Sequence, residues 1–437
     1  MIKSRTALSL LMCAGLATIA PVALLQAQET AAGEAAARQL TLDDLRTFTD
    51  VFNQARRNYV ENVDDKSLLD AAIRGMLSEL DPHSSYLSPD DFEALDDFSR
   101  GRYSGIGVSL LVEDQKIVVK QVVTGSPADE SGVNPGDIIT AIDGRPVKGR
   151  FLPDAVDELS GEPDTELTVS ILSPGEKERD LKLTRRYIQV PTLSFEMLDL
   201  SYGYFKMTQF HRESAADLER ALDSIRAEGT ELRGLVIDLR NNPGGVLQPA
   251  VNIADGFLDE GLIVTMRGRN SSMQMEFRAH EGDWLPGKPV VLLVDRGSAS
   301  ASEVLAGALQ DHHRGLVIGE RTFGKGSVQS VVPLRNGGGI KLTTARYYTP
   351  SGKSIQAEGI LPDIEIDSYV DPAHGDDRVR ESDLDRHLGR QGEGGKTGHG
   401  LDQSTSGFPV DEILSVLGEA GLLGEAEQPE TEGVPEP

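Results

Sequence analysis

The chain is 437 residues long, carries 70 Asp and Glu against 43 Lys and Arg for a net charge of −27, and is 38% hydrophobic. That length predicts two or three domains with enough material for a real core, and the acidity excludes the basic face that nucleic-acid binding needs. The only cysteine, Cys13, lies in the N-terminal apolar segment, so past that point the sequence predicts no disulfide, no thiolate metal site and no cysteine nucleophile.

Lys3 and Arg5 precede an apolar or small run from Ala7 to Leu25, broken by Pro21 and followed by Ala27 and the polar Gln28 and Glu29. This is the layout of a secretory signal peptide over residues 1–27. Cleavage is favoured over a membrane anchor because no stop-transfer charge cluster follows, and the expected location is exported: periplasmic or otherwise extracytoplasmic. A linker at 28–40 leads to a helical region at 41–102. Leu45, Phe48, Val51, Phe52 and Ala55, then Leu68, Leu69, Ala72, Ile73, Met76, Leu77 and Leu80, have helical spacing for two or three helices. Asp81-Pro82-His83-Ser84 reads as a break, with His83 a turn residue, and Ser88-Pro89-Asp90-Asp91 as a helix start. No His, Asp or Glu cluster has metal-ligand spacing, and no metal or cofactor is expected.

From Gly101 the texture changes. Gly105-Ile106-Gly107-Val108 leads into an alternating strand at Lys116–Val123. A short glycine-ended helix follows at Gly125–Val133, then a strand at Ile138–Gly144, a helix at Ala155–Leu159 and a hairpin from Glu166 to Thr184. The Ser126-Pro127-Ala128, Ser131-Gly132-Val133 and Gly136-Asp137 series resembles a PDZ domain over residues 103–186. The resemblance implies a groove where a peptide C-terminus adds as a strand, with Gly105, Ile106, Gly107 and Val108 as the loop that holds its carboxylate.

After Arg186 strands and helices alternate. Strands are expected at Leu200–Phe205, Gly234–Arg240, Ile263–Arg267, Val290–Val294, Leu316–Ile318, Ser327–Val332 and Lys341–Tyr347, and helices at Ser214–Glu228 and Leu247–Leu258. Such alternation predicts a mixed or parallel sheet with flanking helices, here a core at 187–370. Residues 371–437 read as a tail with a short helix at 410–422 and an acidic, disordered end.

The strand at 290–294 runs into Gly297-Ser298-Ala299-Ser300-Ala301-Ser302-Glu303 and a helix. A hydroxyl there sits beside unpaired amides at the positive end of a helix, which suits a serine that attacks a carbonyl and must stabilise the oxyanion. His312 and His313 lie at the far end of that helix, about 18 Å away at 1.5 Å per residue, so neither is placed to be its base. Together with Asp238-Leu239-Arg240-Asn241-Asn242-Pro243-Gly244-Gly245, Phe323-Gly324-Lys325-Gly326 and the closing Tyr348–Asp363 segment, this turn resembles the carboxyl-terminal processing peptidases, or tail-specific proteases, over residues 40–367. Those are serine peptidases with a Ser–Lys dyad. The overall expectation is an α/β multidomain chain: a mixed α/β peptidase core, an inserted PDZ domain and an N-terminal helical segment.

By that resemblance the nucleophile falls on Ser300, the general base on Lys325 and a supporting residue on Gln329; the oxyanion hole falls on the Ala301 amide with Gly244 or Gly245. A lysine serves as base when burial lowers its pKa, which the apolar, glycine-flanked setting of Lys325 permits. Ser302 reads as a helix cap, Asp311 as a capping or ion-pair residue, and Asp238 as a binder of turn amides. The implied activity is an endopeptidase acting near the C-termini of exported proteins through an acyl-enzyme, on protein or peptide substrates with free C-termini. A catalytically weak PDZ-bearing scaffold is the alternative, and a homodimer and an adaptor protein are further expected partners. The Ser-x-x-Lys motif of penicillin-binding enzymes is missing around Ser300.

Overall fold

The computed structural model describes residues 40–198, 201–366 and 379–389; the expected signal peptide, the linker up to residue 39 and the 410–422 helix lie outside them. The described residues divide into two compact units, one ending at Ile73 and one beginning at Arg74. In the first, α1 (Leu42–Asn58) starts at a capping box of Thr41 and Asp44 and has no buried residue. Its stripe of Leu42, Leu45, Phe48 and Val51 is exposed. α2 (Asp65–Ser78) follows, and the first unit ends within it.

The second unit begins with the Asp81–Ser84 turn, then β1 (Ser85–Leu87) and α3 (Pro89–Ser99), which Ser88 and Asp91 cap. After β2 (Arg102–Gly105) come β3 (Val108–Glu113), β4 (Lys116–Val122), α4 (Pro127–Glu130), β5 (Ile138–Ile142), β6 (Arg145–Pro146), α5 (Leu152–Leu159), β7 (Glu166–Leu172) and β8 (Arg179–Thr184). The strands form one antiparallel sheet in the order β3-β4-β5-β7-β8, with β6 beside β5. Alternate residues Leu167, Val169 and Ile171 of β7 enter a core with Ile117, Val119, Ile139 and Ala155, as a half-buried sheet requires. β3 is a strand the sequence did not announce. Its hairpin turn is Asp114-Gln115, both at positive φ, without the Asn-Gly or Asp-Gly pair that usually signals such turns. β9 (Arg186–Gln189) returns to pair with β2.

The remaining elements are β10 (Leu193–Leu198), β11 (Tyr202–Met207), α6 (Ser214–Ala227), β12 (Gly234–Asp238), α7 (Leu247–Asp255), β13 (Leu262–Gly268), β14 (Met275–Arg278), β15 (Val290–Val294), α8 (Ala301–Asp311), β16 (Gly315–Gly319), β17 (Ser327–Pro333), β18 (Gly339–Tyr348) and β19 (Ile364–Glu365). A six-stranded sheet runs β10-β11-β12-β15-β16-β19 and is parallel from β11 onward. Its apolar strands are covered on both faces, the reason they read as near-continuous hydrophobic runs. Ile237, Leu292, Val294 and Val317 pack with α6, α7 and α8, while Val236, Val291, Leu293 and Ile318 form a separate cluster on the other side.

A second sheet places β18 between β17 on one edge and β1 and β13 along the other, with β14 beyond β13. Val264, Met266, Val328, Ala345 and Tyr347 put one of its faces into the main core with those helices. The turns after β12 and β15 therefore lie side by side at the carboxyl ends of neighbouring parallel strands, where open α/β sheets bind their ligands.

Candidate active site

Ser300 occupies the N-cap position of α8 with φ 55° and ψ −112°. Backbone of that shape costs a non-glycine residue about 1–3 kcal/mol and persists only where its surroundings over-determine it. Here they do. The Ser300 N–H donates to Glu303 Oε2 at 2.7 Å, the Ala299 N–H and the Ser302 hydroxyl both donate to the Asn242 carbonyl, and the Ser298 hydroxyl donates to the Leu239 carbonyl. Ser302 is thus not the helix cap expected of it. It sits inside the first turn of α8, and its hydroxyl reaches across to the turn after β12.

Gly244 presses against the serine turn: a Cβ on it would lie 2.6 Å from the Ala299 carbonyl oxygen and 2.9 Å from the Ala301 nitrogen. Only a bare backbone approaches that closely. The Gly244 amide is engaged by Asn242 Oδ1 at 2.9 Å. The amides of Ala301 and Gly245 find no acceptor among the described residues.

Lys325 lies in the extended loop between β16 and β17. Phe323 N–H donates to the Ser298 carbonyl, Ala357 N–H to the Gly324 carbonyl, Gly326 N–H to Gln356 Oε1 and Tyr347 N–H to the Gly326 carbonyl. Burial holds the Lys325 amine below its usual range; the nearby Lys341 charge pushes the same way, while Glu381, Glu303 and Asp81 oppose it. Gln329 stands on β17, where its Nε2 donates to Ser327 Oγ at 2.9 Å and Thr343 Oγ1 at 3.3 Å. Among the described residues neither Gln329 nor the Ser300 hydroxyl bonds the Lys325 amine.

The residue that sequence reasoning missed is Glu303. Fully buried, it accepts from the Ser300 amide, the Thr322 hydroxyl at 2.5 Å, the Gly324 amide at 2.7 Å and the Lys325 amide at 2.9 Å. One carboxylate oxygen, Oε2, receives the amides of both Ser300 and Lys325 and so holds the two together. Burial raises the Glu303 pKa to about 7 against the pull of those donors. A charged residue on an otherwise apolar helix face was the available signal. A second missed support is the Asp81–Ser84 turn: Asp81 accepts from the Ser84 and Thr343 hydroxyls, and His83 bonds the fully buried Glu381, which also receives Gln356 Nε2.

Asp311 accepts the Ser351 amide at 2.8 Å, a turn cap as expected. Asp238 accepts the Arg240 amide and guanidinium and the Tyr204 hydroxyl at 2.5 Å; burial and that bond push the tyrosine to about 12. Among the described residues no group of three or more His, Cys, Asp or Glu is placed to hold a metal ion, and no helix is long and apolar enough to cross a membrane.

Some distance along the chain, Gly105, Ile106, Gly107 and Val108 border a cavity of about 550 Å³ between β3 and α5, whose Val156 and Leu159 form the opposite wall. β3 is the last strand of its sheet. Gly107 has φ +86°, and a Cβ there would meet the Ser126 Cβ at 2.1 Å.

Residues 201–366 match the model of peptidase family S41, residues 118–172 that of a PDZ domain, and residues 11–91 that of the N-terminal domain described for the activating protease CtpB. The chain is 40% identical over 380 residues to a carboxy-terminal-processing protease of Bartonella bacilliformis, covering 86% of this chain and 87% of that one. With the carboxy-terminal processing protease CtpA of Bacillus subtilis it shares 34% identity over 318 residues, 72% of this chain and 67% of the relative. A solved photosystem II D1 C-terminal processing protease is 33% identical, covering 75% of this chain and 94% of its own, at a TM-score of 0.45.

Proposed function

Since this chain belongs to peptidase family S41, as a serine peptidase of the carboxy-terminal-processing kind with a PDZ domain, we propose that Ser300 is its nucleophile and Lys325 its general base. The observation that carries this reading is the single Glu303 oxygen that receives the amides of both residues. Lys325, its pKa lowered by burial, takes the Ser300 proton as the hydroxyl attacks the scissile carbonyl. The Ala301 and Gly245 amides, which have no acceptor among the described residues, stabilise the oxyanion, and Gly244 serves by its close approach rather than by its amide. The protonated lysine then gives its proton to the leaving amine, and an incoming water repeats the sequence on the acyl-enzyme. Gln329 is a positioning residue on the strand that follows the lysine loop.

The substrate's free C-terminus enters the cavity beside β3 as an added strand, with its carboxylate at the Gly105–Val108 loop and its apolar terminal side chain facing Val156 and Leu159. The N-terminal layout supports export to an extracytoplasmic compartment. The exposed apolar stripe of α1 supports a homodimer, which a monomeric mass in solution would remove. Incubating the purified protein with an unstructured substrate bearing an apolar C-terminus tests the central reading. Cleavage should occur and should vanish in Ser300→Ala. Tail binding without hydrolysis in the native chain would restore the scaffold alternative, which family membership does not favour.

A further inference from the structure

The sheet built on β18 has one face in the core, and its other face is cationic. Ser327 and Gln329 are two apart on β17 and share a face; their register partners on β18 are Arg346 and Thr343. Residues three apart on a regular strand point to opposite faces. The register shift between Val328 and Gln329 absorbs the extra residue and turns Arg346 to the side of Gln329, the kind of re-aiming that bulges perform beside active sites. Across the other edge of β18, Arg346 stands directly opposite Arg267 of β13.

Like charges directly opposite on paired strands are destabilising. In a chain with 70 acidic residues, that pair has nonetheless not been given a carboxylate: Arg267, Arg269, Lys341 and Arg346 make no ion pair among the described residues. The Arg267 guanidinium instead lies 4.5 Å from the Tyr348 ring centroid. Arg267, Arg269 and Arg346 line a cavity of about 440 Å³ together with Gln274, Thr344 and Thr343. Thr343 is also the residue whose hydroxyl accepts from Gln329, so one side chain separates this cavity from the proposed positioning residue. Planar guanidinium forks on adjacent strands match a carboxylate.

We propose that this cavity is an anionic subsite that takes an acidic side chain of the polypeptide substrate close to the bond that is cleaved. The protease would then select twice, by a free C-terminus in the groove beside β3 and by an acidic residue at the arginines. This assignment rests on the reading of Ser300, Lys325 and Gln329 given above.

The test is kcat/KM on matched synthetic peptides with one apolar C-terminus, in which a Glu or a Gln is scanned through the positions flanking the cleaved bond. At one or two adjacent positions Glu should be preferred roughly 5- to 10-fold, the scale of a partly exposed charge-assisted contact, and the preference should shrink as salt rises. In the Arg267→Gln/Arg346→Gln variant the Glu-to-Gln ratio should fall to near one, and Arg346→Lys should retain part of it. The ratio compares two substrates on one enzyme, so partial loss of folded protein cancels. No preferred position, or the same ratio in the double variant, overturns the subsite. Ser300→Ala run in parallel should cleave neither peptide; cleavage there refutes the catalytic reading instead. If replacing Glu425, Glu427, Glu430, Glu432 and Glu436 by Gln raises kcat/KM on the Glu peptide alone, the chain's own acidic stretch occupies the cavity and the substrate assignment fails.

Discussion

Around Ser300 the backbone is strained and tightly tied, four donors converging on one buried carboxylate, Glu303. In the groove between β3 and α5 the same chain does the reverse, leaving a strand edge unpaired and an apolar wall open. The difference fits the roles proposed for each. A nucleophile and its base have to be held to within a fraction of an ångström, whereas a groove that accepts a peptide strand needs free backbone groups and a pocket that tolerates variation. Rigidity at the serine turn is produced by buried hydrogen bonds, and openness at the groove by their absence.

Substitutions at the two regions should therefore fail in different ways. The largest effect is expected for Lys325→Ala, with kcat lower by about 10³-fold or more and tail-peptide affinity unchanged by titration calorimetry. The sign of the pH dependence follows from the depressed lysine: kcat/KM should rise with pH through a value below the ordinary lysine range, because only the neutral amine accepts the proton. That limb should disappear in the variant.

Next comes Glu303→Gln. An amide cannot accept from all four donors, so the Ser300 turn and the Lys325 loop drift apart and kcat falls by roughly 10²-fold. The same variant should alter stability against pH. With the folded-state pKa raised from 4.5 to about 7, this group's favourable contribution is fully present below pH 4.5 and is lost as pH rises through 7. Urea midpoints of native chain and variant across that window should converge at its alkaline end.

At the groove, Gly107→Ala forces a Cβ into Ser126 at positive φ. About 1–3 kcal/mol of strain should weaken tail-peptide binding on the order of tenfold, seen as a raised KM with kcat little changed. A loss confined to kcat would instead couple the groove to the serine turn. The smallest effect belongs to Ser302→Ala, which removes one hydroxyl bond to the Asn242 carbonyl. It should lower stability by about 1 kcal/mol, read from the denaturation midpoint.

Much of the fold was legible in residue order. The parallel strands announced themselves as unbroken apolar runs at Gly234–Asp238 and Val290–Val294, and α3 by its Ser88-Pro89 start. β3 and β14 were less legible because their turns and edge positions lack strong chemical markers. At the site, Ser300 and Lys325 stood out through motif wording. Glu303 did not, because its partners Thr322, Gly324 and Lys325 lie about twenty residues on, and nothing local says that a helix carboxylate will be buried.

The sequence by itself determined the local choices: which segments are apolar enough for strands, and where caps and glycines end helices. These depend on periodicity and side-chain chemistry within a few residues. Tertiary structure alone decided that Asn242 and Ser302 meet, that Asp81 reaches Thr343 on β18 and Glu381 the lysine loop, that Ser302 ties rather than caps, and that Arg346 turns to the side of Gln329. Each of those outcomes depends on strand register and burial, which are settled by contacts between segments up to some three hundred residues apart and not by any one of them.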